Sequence, residues 1–68
     1  MLFTVETEQE TDGRWIAEII EIPGVLKYSN TRIDAVAQAE ALALRVMAER
    51  IEHGEQPVEP IEIRFKAA

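Results

Sequence analysis

The chain has 68 residues and no cysteine, and thirteen acidic against seven basic side chains give it a net charge of −6. This composition excludes a disulfide scaffold and argues against direct contact with nucleic acid or an anionic membrane, because both require clustered Lys and Arg. The sequence contains no signal-peptide pattern and no apolar run near the ~18 residues of a membrane span, so we expect one cytoplasmic domain over residues 1–68.

Two β-strands are predicted at the amino-terminal end. Residues 2–9 alternate between apolar and polar side chains, and residues 14–22 follow the Asp12-Gly13 turn, a dipeptide typical of a β-hairpin. We expect five side chains of these strands to face the helix: Phe3, Val5, Trp15, Ala17 and Ile19. The opposite assignment of the second strand stays open, because both of its faces carry isoleucine.

A short third strand, residues 25–28, follows the Pro23-Gly24 turn, and a long helix is predicted over residues 31–53. Thr31 is placed to cap the start of the helix, and Gly54 to end it in the left-handed conformation. The predicted core positions of the helix follow three/four spacing and are Val36, Ala39, Leu42, Ala43, Val46 and Met47. A second apolar set on a different side consists of Ile33, Ala37, Leu44, Ala48 and Ile51.

Residues 56–60 form a predicted loop with two prolines, and residues 61–66 form a last strand with Ile61, Ile63 and Phe65 pointing inward. The order β-β-β-α-β predicts an α+β fold with two layers, a four-stranded mixed sheet with one long helix packed on one face. A helical crossover favours parallel pairing, so we expect the last strand to lie beside the first.

This topology leaves the outer sheet face without a covering layer. We expect it to present Leu2, Glu6, Glu8, Ile16, Glu18, Ile20 and Glu62. A surface that mixes acidic and apolar residues suits a protein partner better than bare water. On the helix, Leu44 and Ile51 are a second candidate contact, although small alanines tolerated at the surface would also explain its wide apolar side. The candidate partner-binding residues are therefore Glu6, Glu8, Ile16, Glu18, Ile20, Leu44 and Ile51.

No residue pattern indicates catalysis, a cofactor or a metal. The single histidine, His53, lies at the predicted helix end, where an imidazole favours the last carbonyl groups. Glu6 and Glu18 approach across the first two strands, which indicates a solvated or partner-facing surface rather than an acid/base pair. The sequence has no Gly-rich phosphate loop, nucleophile elbow or His-acid metal motif. We expect a protein that is not an enzyme.

The run from Asp12 to Glu55 resembles the HicB-like antitoxin family. The shared features are an aromatic residue after a hairpin turn, a Pro-Gly pair, a threonine that opens an Ala-rich helix, and the helix end. In this chain they are Trp15, Ala17, Pro23-Gly24, Thr31, Ala35 and the helix through His53-Gly54-Glu55, and the resemblance covers residues 3–65.

The resemblance implies a partial ribonuclease-H-like fold with the same element order. It also implies a type II antitoxin that binds and masks a small HicA-like ribonuclease toxin with a double-stranded-RNA-binding fold. Many family members add a carboxy-terminal DNA-binding domain; the 68 residues of this chain contain no counterpart of it, so the resemblance does not extend to operator binding. The catalytic carboxylates of ribonuclease H are not recognisable, so nuclease activity is not implied.

A competing hypothesis is an orphan structural module that forms a homo-oligomer and has no toxin partner. A 68-residue chain buries only a modest core, and self-association is a common additional source of stability at this size. The two hypotheses are compatible, because antitoxins of this type often self-associate.

Overall fold

The computed structural model describes residues 1–55 and 60–68. Its elements in chain order are β1 (Leu2–Gln9), β2 (Trp15–Ile19), β3 (Leu26–Ser29), α1 (Arg32–Glu52) and β4 (Arg64–Ala67). The four strands form one mixed sheet, and α1 packs on one of its faces, so the predicted α+β class is confirmed. The predicted loop at 56–60 lies, apart from Pro60, outside the described residues.

The sheet has the strand order β3-β2-β1-β4. β1 and β2 pair antiparallel, as do β2 and β3, whereas β4 pairs parallel to β1. The prediction that the last strand lies parallel beside the first is confirmed. Phe3 and Phe65 are direct neighbours in this pairing, and their ring centroids lie 5.6 Å apart on the helix side.

Three strands, β2, β3 and β4, have bounds that differ from the prediction, because pairing and turns rather than local alternation set where a strand begins and ends. β2 ends at Ile19 rather than at residue 22, because the chain turns directly after Ile19. In this turn the Ile22 N–H donates to the Ile19 carbonyl at 3.2 Å. β3 runs one residue later than predicted. β4 begins only at Arg64, and Ile61, predicted to point inward, precedes the strand and is 38% exposed.

The core is built from small helix residues against larger strand residues. The sheet supplies Phe3, Val5, Ala17 and Ile19, the turn before β3 supplies Ile22 and Val25, and the helix supplies Ala35, Ala39, Ala43 and Met47. Ala35 is buried although it was not among the predicted core positions. The predicted positions Val36, Leu42 and Val46 are only partly buried, and so is Trp15. The four buried helix residues are spaced four positions apart and so lie in one row along the helix. Three of them are alanines, whose small side chains allow the helix to lie close to the sheet.

The predicted helix ends are confirmed. Thr31 is the N-cap, and its hydroxyl oxygen accepts from the Asp34 N–H at 3.1 Å. At the other end the Gly54 N–H donates to the Ile51 carbonyl and the Glu55 N–H to the Arg50 carbonyl, while Gly54 has φ +71°. This is the Schellman arrangement, which requires a left-handed residue after the C-cap.

Asp34 does not close a capping box. Its carboxylate accepts from the Ser29 hydroxyl and from the Gln38 amide at 2.7 Å. These two hydrogen bonds, that of Ser29 first, lower the pKa of Asp34. The carboxylate therefore joins the end of β3 to the first turns of α1.

In residues 1–55 and 60–68 no helix combines the length and hydropathy of a membrane span.

Candidate protein-docking surface

The outer face is the side of the sheet that points away from α1. Alternation along the strands places it, because Phe3, Val5, Ala17 and Ile19 are buried toward the helix and their neighbours point the opposite way. We use the name outer face for Leu2, Thr4, Glu6, Glu8, Ile16, Glu18, Leu26, Tyr28, Arg64 and Lys66, together with Ile20 just past the end of β2. The predicted orientation of both β1 and β2 is thereby confirmed.

One corner of the outer face is apolar. Ile16 is half-buried and lies beside Tyr28 in the register, while Leu26, Tyr28 and Ile20 are 37%, 44% and 45% exposed. The guanidinium of Arg14 lies over the Tyr28 ring, 4.9 Å from its centroid. Tyrosine and arginine are enriched at protein–protein interfaces, and the exposed aliphatic side chains beside them add apolar area that such a contact would bury.

An acidic strip runs beside and partly into this apolar corner, because Glu18 lies between Ile16 and Ile20 along the chain and opposite Leu26. Glu6 lies directly opposite Glu18 in the antiparallel pairing, where Cβ atoms are about 5 Å apart, and Glu8 lies opposite Ile16 in the adjacent row. Like charges in directly opposite positions destabilise a strand pair. The ion pairs found among the described residues are Arg14–Asp12 and Arg64–Glu62, so no basic group of that part of the chain pairs with the strip.

Two other carboxylates at the rim stabilise the fold locally. The Glu21 carboxylate accepts from the backbone N–H and the hydroxyl of Thr4, both at 2.7 Å, and these bonds lower the pKa of Glu21. Asp12 accepts from the backbone N–H of Arg14 and from its guanidinium, which lowers the pKa of Asp12. Glu21 thus holds the turn after β2 against β1, and Asp12 fixes the hairpin turn.

The structure divides the seven predicted contact residues between two surfaces. Glu6, Glu8, Ile16, Glu18 and Ile20 come together on or beside the outer face. Leu44 and Ile51 lie in the helix layer, where they are 45% and 43% exposed. One partner patch on the outer face therefore does not include them.

The predicted contact residues include neither Leu26 nor Tyr28, which complete the apolar corner; from the sequence, Tyr28 at a strand end is open to either a core-edge or a contact role. The sequence signal for these two residues is the alternation in the third strand, once the pairing of β3 with β2 sets Leu26 opposite Glu18 and Tyr28 opposite Ile16.

Glu62, predicted on the outer face, precedes β4 and pairs with Arg64 at 3.1 Å. Among residues 1–55 and 60–68, no three His, Cys, Asp or Glu side chains are grouped as metal ligands would be.

Comparisons of this chain with protein-family models, with curated proteins and with solved structures find no match.

Proposed function

We propose that this chain is a protein-docking module of the HicB-like antitoxin type, and that its outer face masks a small, basic, HicA-like ribonuclease. The observation that carries the proposal is the acidic strip of Glu6, Glu8 and Glu18, which takes part in no ion pair within residues 1–55 and 60–68 and lies beside the exposed apolar corner. A ribonuclease binds the phosphates of RNA with Lys and Arg. The same cations complement the acidic strip, so a toxin bound here has its RNA site covered.

The two parts of the surface have different tasks in this proposal. Burial of Ile20, Leu26 and Tyr28 supplies the affinity: the aliphatic side chains contribute buried apolar area, and tyrosine is a residue type that often carries a large share of the binding energy. The glutamates speed the encounter and fix the orientation of a basic partner. A cation placed between Glu6 and Glu18 also removes their mutual repulsion.

Co-expression with a small basic HicA-like ribonuclease, to be sought in the gene beside the one that encodes this chain, tests the proposal. We expect the two to co-purify and the ribonuclease activity of the partner to be lost. Ile20→Lys should abolish both effects without changing the far-ultraviolet circular dichroism, because it places a cation in the apolar corner. Ile51→Lys is the matched control: it makes the same substitution at similar exposure in the helix layer and should leave binding intact.

Two results contradict the proposal. A ribonuclease that keeps full activity with this chain in excess excludes masking. If Ile51→Lys loses binding while Ile20→Lys binds normally, the partner contacts the helix rather than the outer face of the sheet.

The second candidate role is self-assembly as a structural module. The observation that favours it is the apolar side of α1, where Ile33, Leu44 and Ile51 are 81%, 45% and 43% exposed. Light scattering at micromolar concentration tests it: a clean monomer contradicts self-assembly but leaves toxin masking untouched.

A further inference from the structure

The helix leaves part of the inner sheet face open. It packs chiefly on β2 and β3, and the edge strand β4 receives little cover from it. A groove of about 250 Å³ therefore lies between α1 and β4. Its apolar lining includes Val5, Val36 and Phe65.

A large aliphatic side chain stands at the edge of this groove. Ile33 lines the groove and is 81% exposed, the highest value among the large hydrophobic residues that the structure describes. A cavity of about 150 Å³ already holds a benzene molecule. The groove therefore has room for a branched aliphatic side chain, and Ile33 is a protruding group of that kind.

Opposite charges flank the groove along the helix. Lys66 lines the β4 side of the groove. Arg32 and Glu40 line its helix side, and each of these two lies four residues from Val36, or about 6 Å along the axis. The Arg32 Nε donates to the Thr7 hydroxyl at 3.2 Å, which anchors the guanidinium at the groove. The ion pairs found within residues 1–55 and 60–68 include neither residue, so both charges are available to a partner.

We infer that the occupant of the groove is a second copy of this chain. A two-fold axis perpendicular to α1 near Val36 makes the helices antiparallel. It seats Ile33 of each copy against the groove of the other and brings each Arg32 to Glu40 of the second copy. Such a contact is isologous, since the same patch supplies both the protruding group and its receptor. It uses the helix layer and leaves the two outer faces free, so it does not depend on the proposed toxin masking.

Charge reversal gives a direct test by size-exclusion chromatography with light scattering, at concentrations up to about 1 mM. The unmodified chain should have twice the 7.7 kDa mass of the monomer. Arg32→Glu and Glu40→Arg should each be monomeric, because each replaces two attractive contacts by two repulsive ones. The dissociation constant should rise roughly a hundredfold or more. An equimolar mixture of the two variants should restore the dimer, because both contacts of the heterodimer again join an acidic side chain to a basic one.

Both substitutions are compatible with the helix, as an acidic residue favours the first turn and arginine is a good helix former, and circular dichroism checks this. Ile33→Ser should also give monomers, whereas Ile51→Ser, outside the groove, should leave the dimer intact. An unmodified chain that is monomeric throughout overturns the inference. So does an Arg32→Glu variant that stays dimeric, or a mixture of folded variants that does not associate.

Discussion

Two consecutive isoleucines test which face of the sheet is buried. Ile19 is 0% exposed and is the largest fully buried side chain among the residues that the structure describes, whereas Ile20 is 45% exposed. Ile19→Ala removes three carbons from the core at about 0.8 kcal/mol each, or ~2.4 kcal/mol, and the cavity left behind raises the cost to about 3–4 kcal/mol. Ile20→Ala removes the same atoms from a half-exposed position without leaving a cavity, so it should cost less than about 1 kcal/mol.

Urea denaturation followed by the fluorescence of Trp15, the single tryptophan, measures both variants. With a slope of about 1 kcal/mol per molar urea, Ile19→Ala should lower the midpoint by ~3 M and Ile20→Ala by less than ~1 M. Total stability in this size range is about 3–10 kcal/mol, so an unfolded Ile19→Ala protein also agrees with the reasoning. Equal shifts for the two variants, or a larger shift for Ile20→Ala, would refute the assigned faces.

Three further predictions concern the helix cap, a rim carboxylate and the tryptophan. Thr31→Ala should lower the free energy of unfolding by about 1 kcal/mol, while Thr31→Ser, which keeps the capping oxygen, should be nearly neutral in the same urea titration. Because the pKa of Glu21 is lowered in the folded protein, the unfolded chain takes up the proton at a higher pH than the folded one. The stability that the Glu21 carboxylate contributes is therefore complete above its ordinary pKa of 4.5 and is lost as the pH falls below that value and through the lower folded pKa. Thermal melts should accordingly show a gap between the wild type and Glu21→Gln that shrinks below pH 4.5, and a gap independent of pH would contradict this. Trp15→Ala should cost about 2 kcal/mol by circular dichroism, less than the ~3–5 kcal/mol of a fully buried ring, because the side chain is only partly buried.

Elements defined by local chemistry could be predicted from the sequence. The alternation of residues 2–9 matches β1 residue for residue, and the Asp12-Gly13 turn connects β1 to β2 as expected. Thr31 and Gly54 mark the helix ends because an N-cap oxygen and a left-handed residue act within one turn of the chain. These signals do not depend on the rest of the fold.

Boundaries and burial set by tertiary contacts could not be predicted in this way. Ile61 and Ile63 look alike in sequence and both precede β4, but of the two only Ile63, the residue next to the strand, packs against the core. Ala35 has little hydrophobic signal of its own. Its burial follows from where the helix crosses the sheet.

The candidate surfaces also differ in how far local sequence signals predict them. The acidic strip follows from the hairpin register, which the turn fixes, so Glu6 and Glu18 could be paired from the sequence. The apolar corner needs the position of β3, which supplies Leu26 and Tyr28. The groove beside β4 exists because α1 lies off-centre on the sheet, and no local pattern encodes that displacement.

The pairing of β4 with β1 has a consequence for the order in which the chain acquires its structure. The amino group of Met1 donates to the carbonyl of Glu62, and the two residues are 61 positions apart in sequence. Hairpin and helix are local and assemble quickly, whereas closure of so long a loop is slow. Until β4 docks, β1 is an unpaired edge strand and Phe3 lacks the ring of Phe65 beside it. A nascent or truncated chain that stops before Arg64 therefore exposes the unpaired backbone edge of β1, with which other chains can pair and aggregate. Pairing with β4 covers this edge once the last few residues are present.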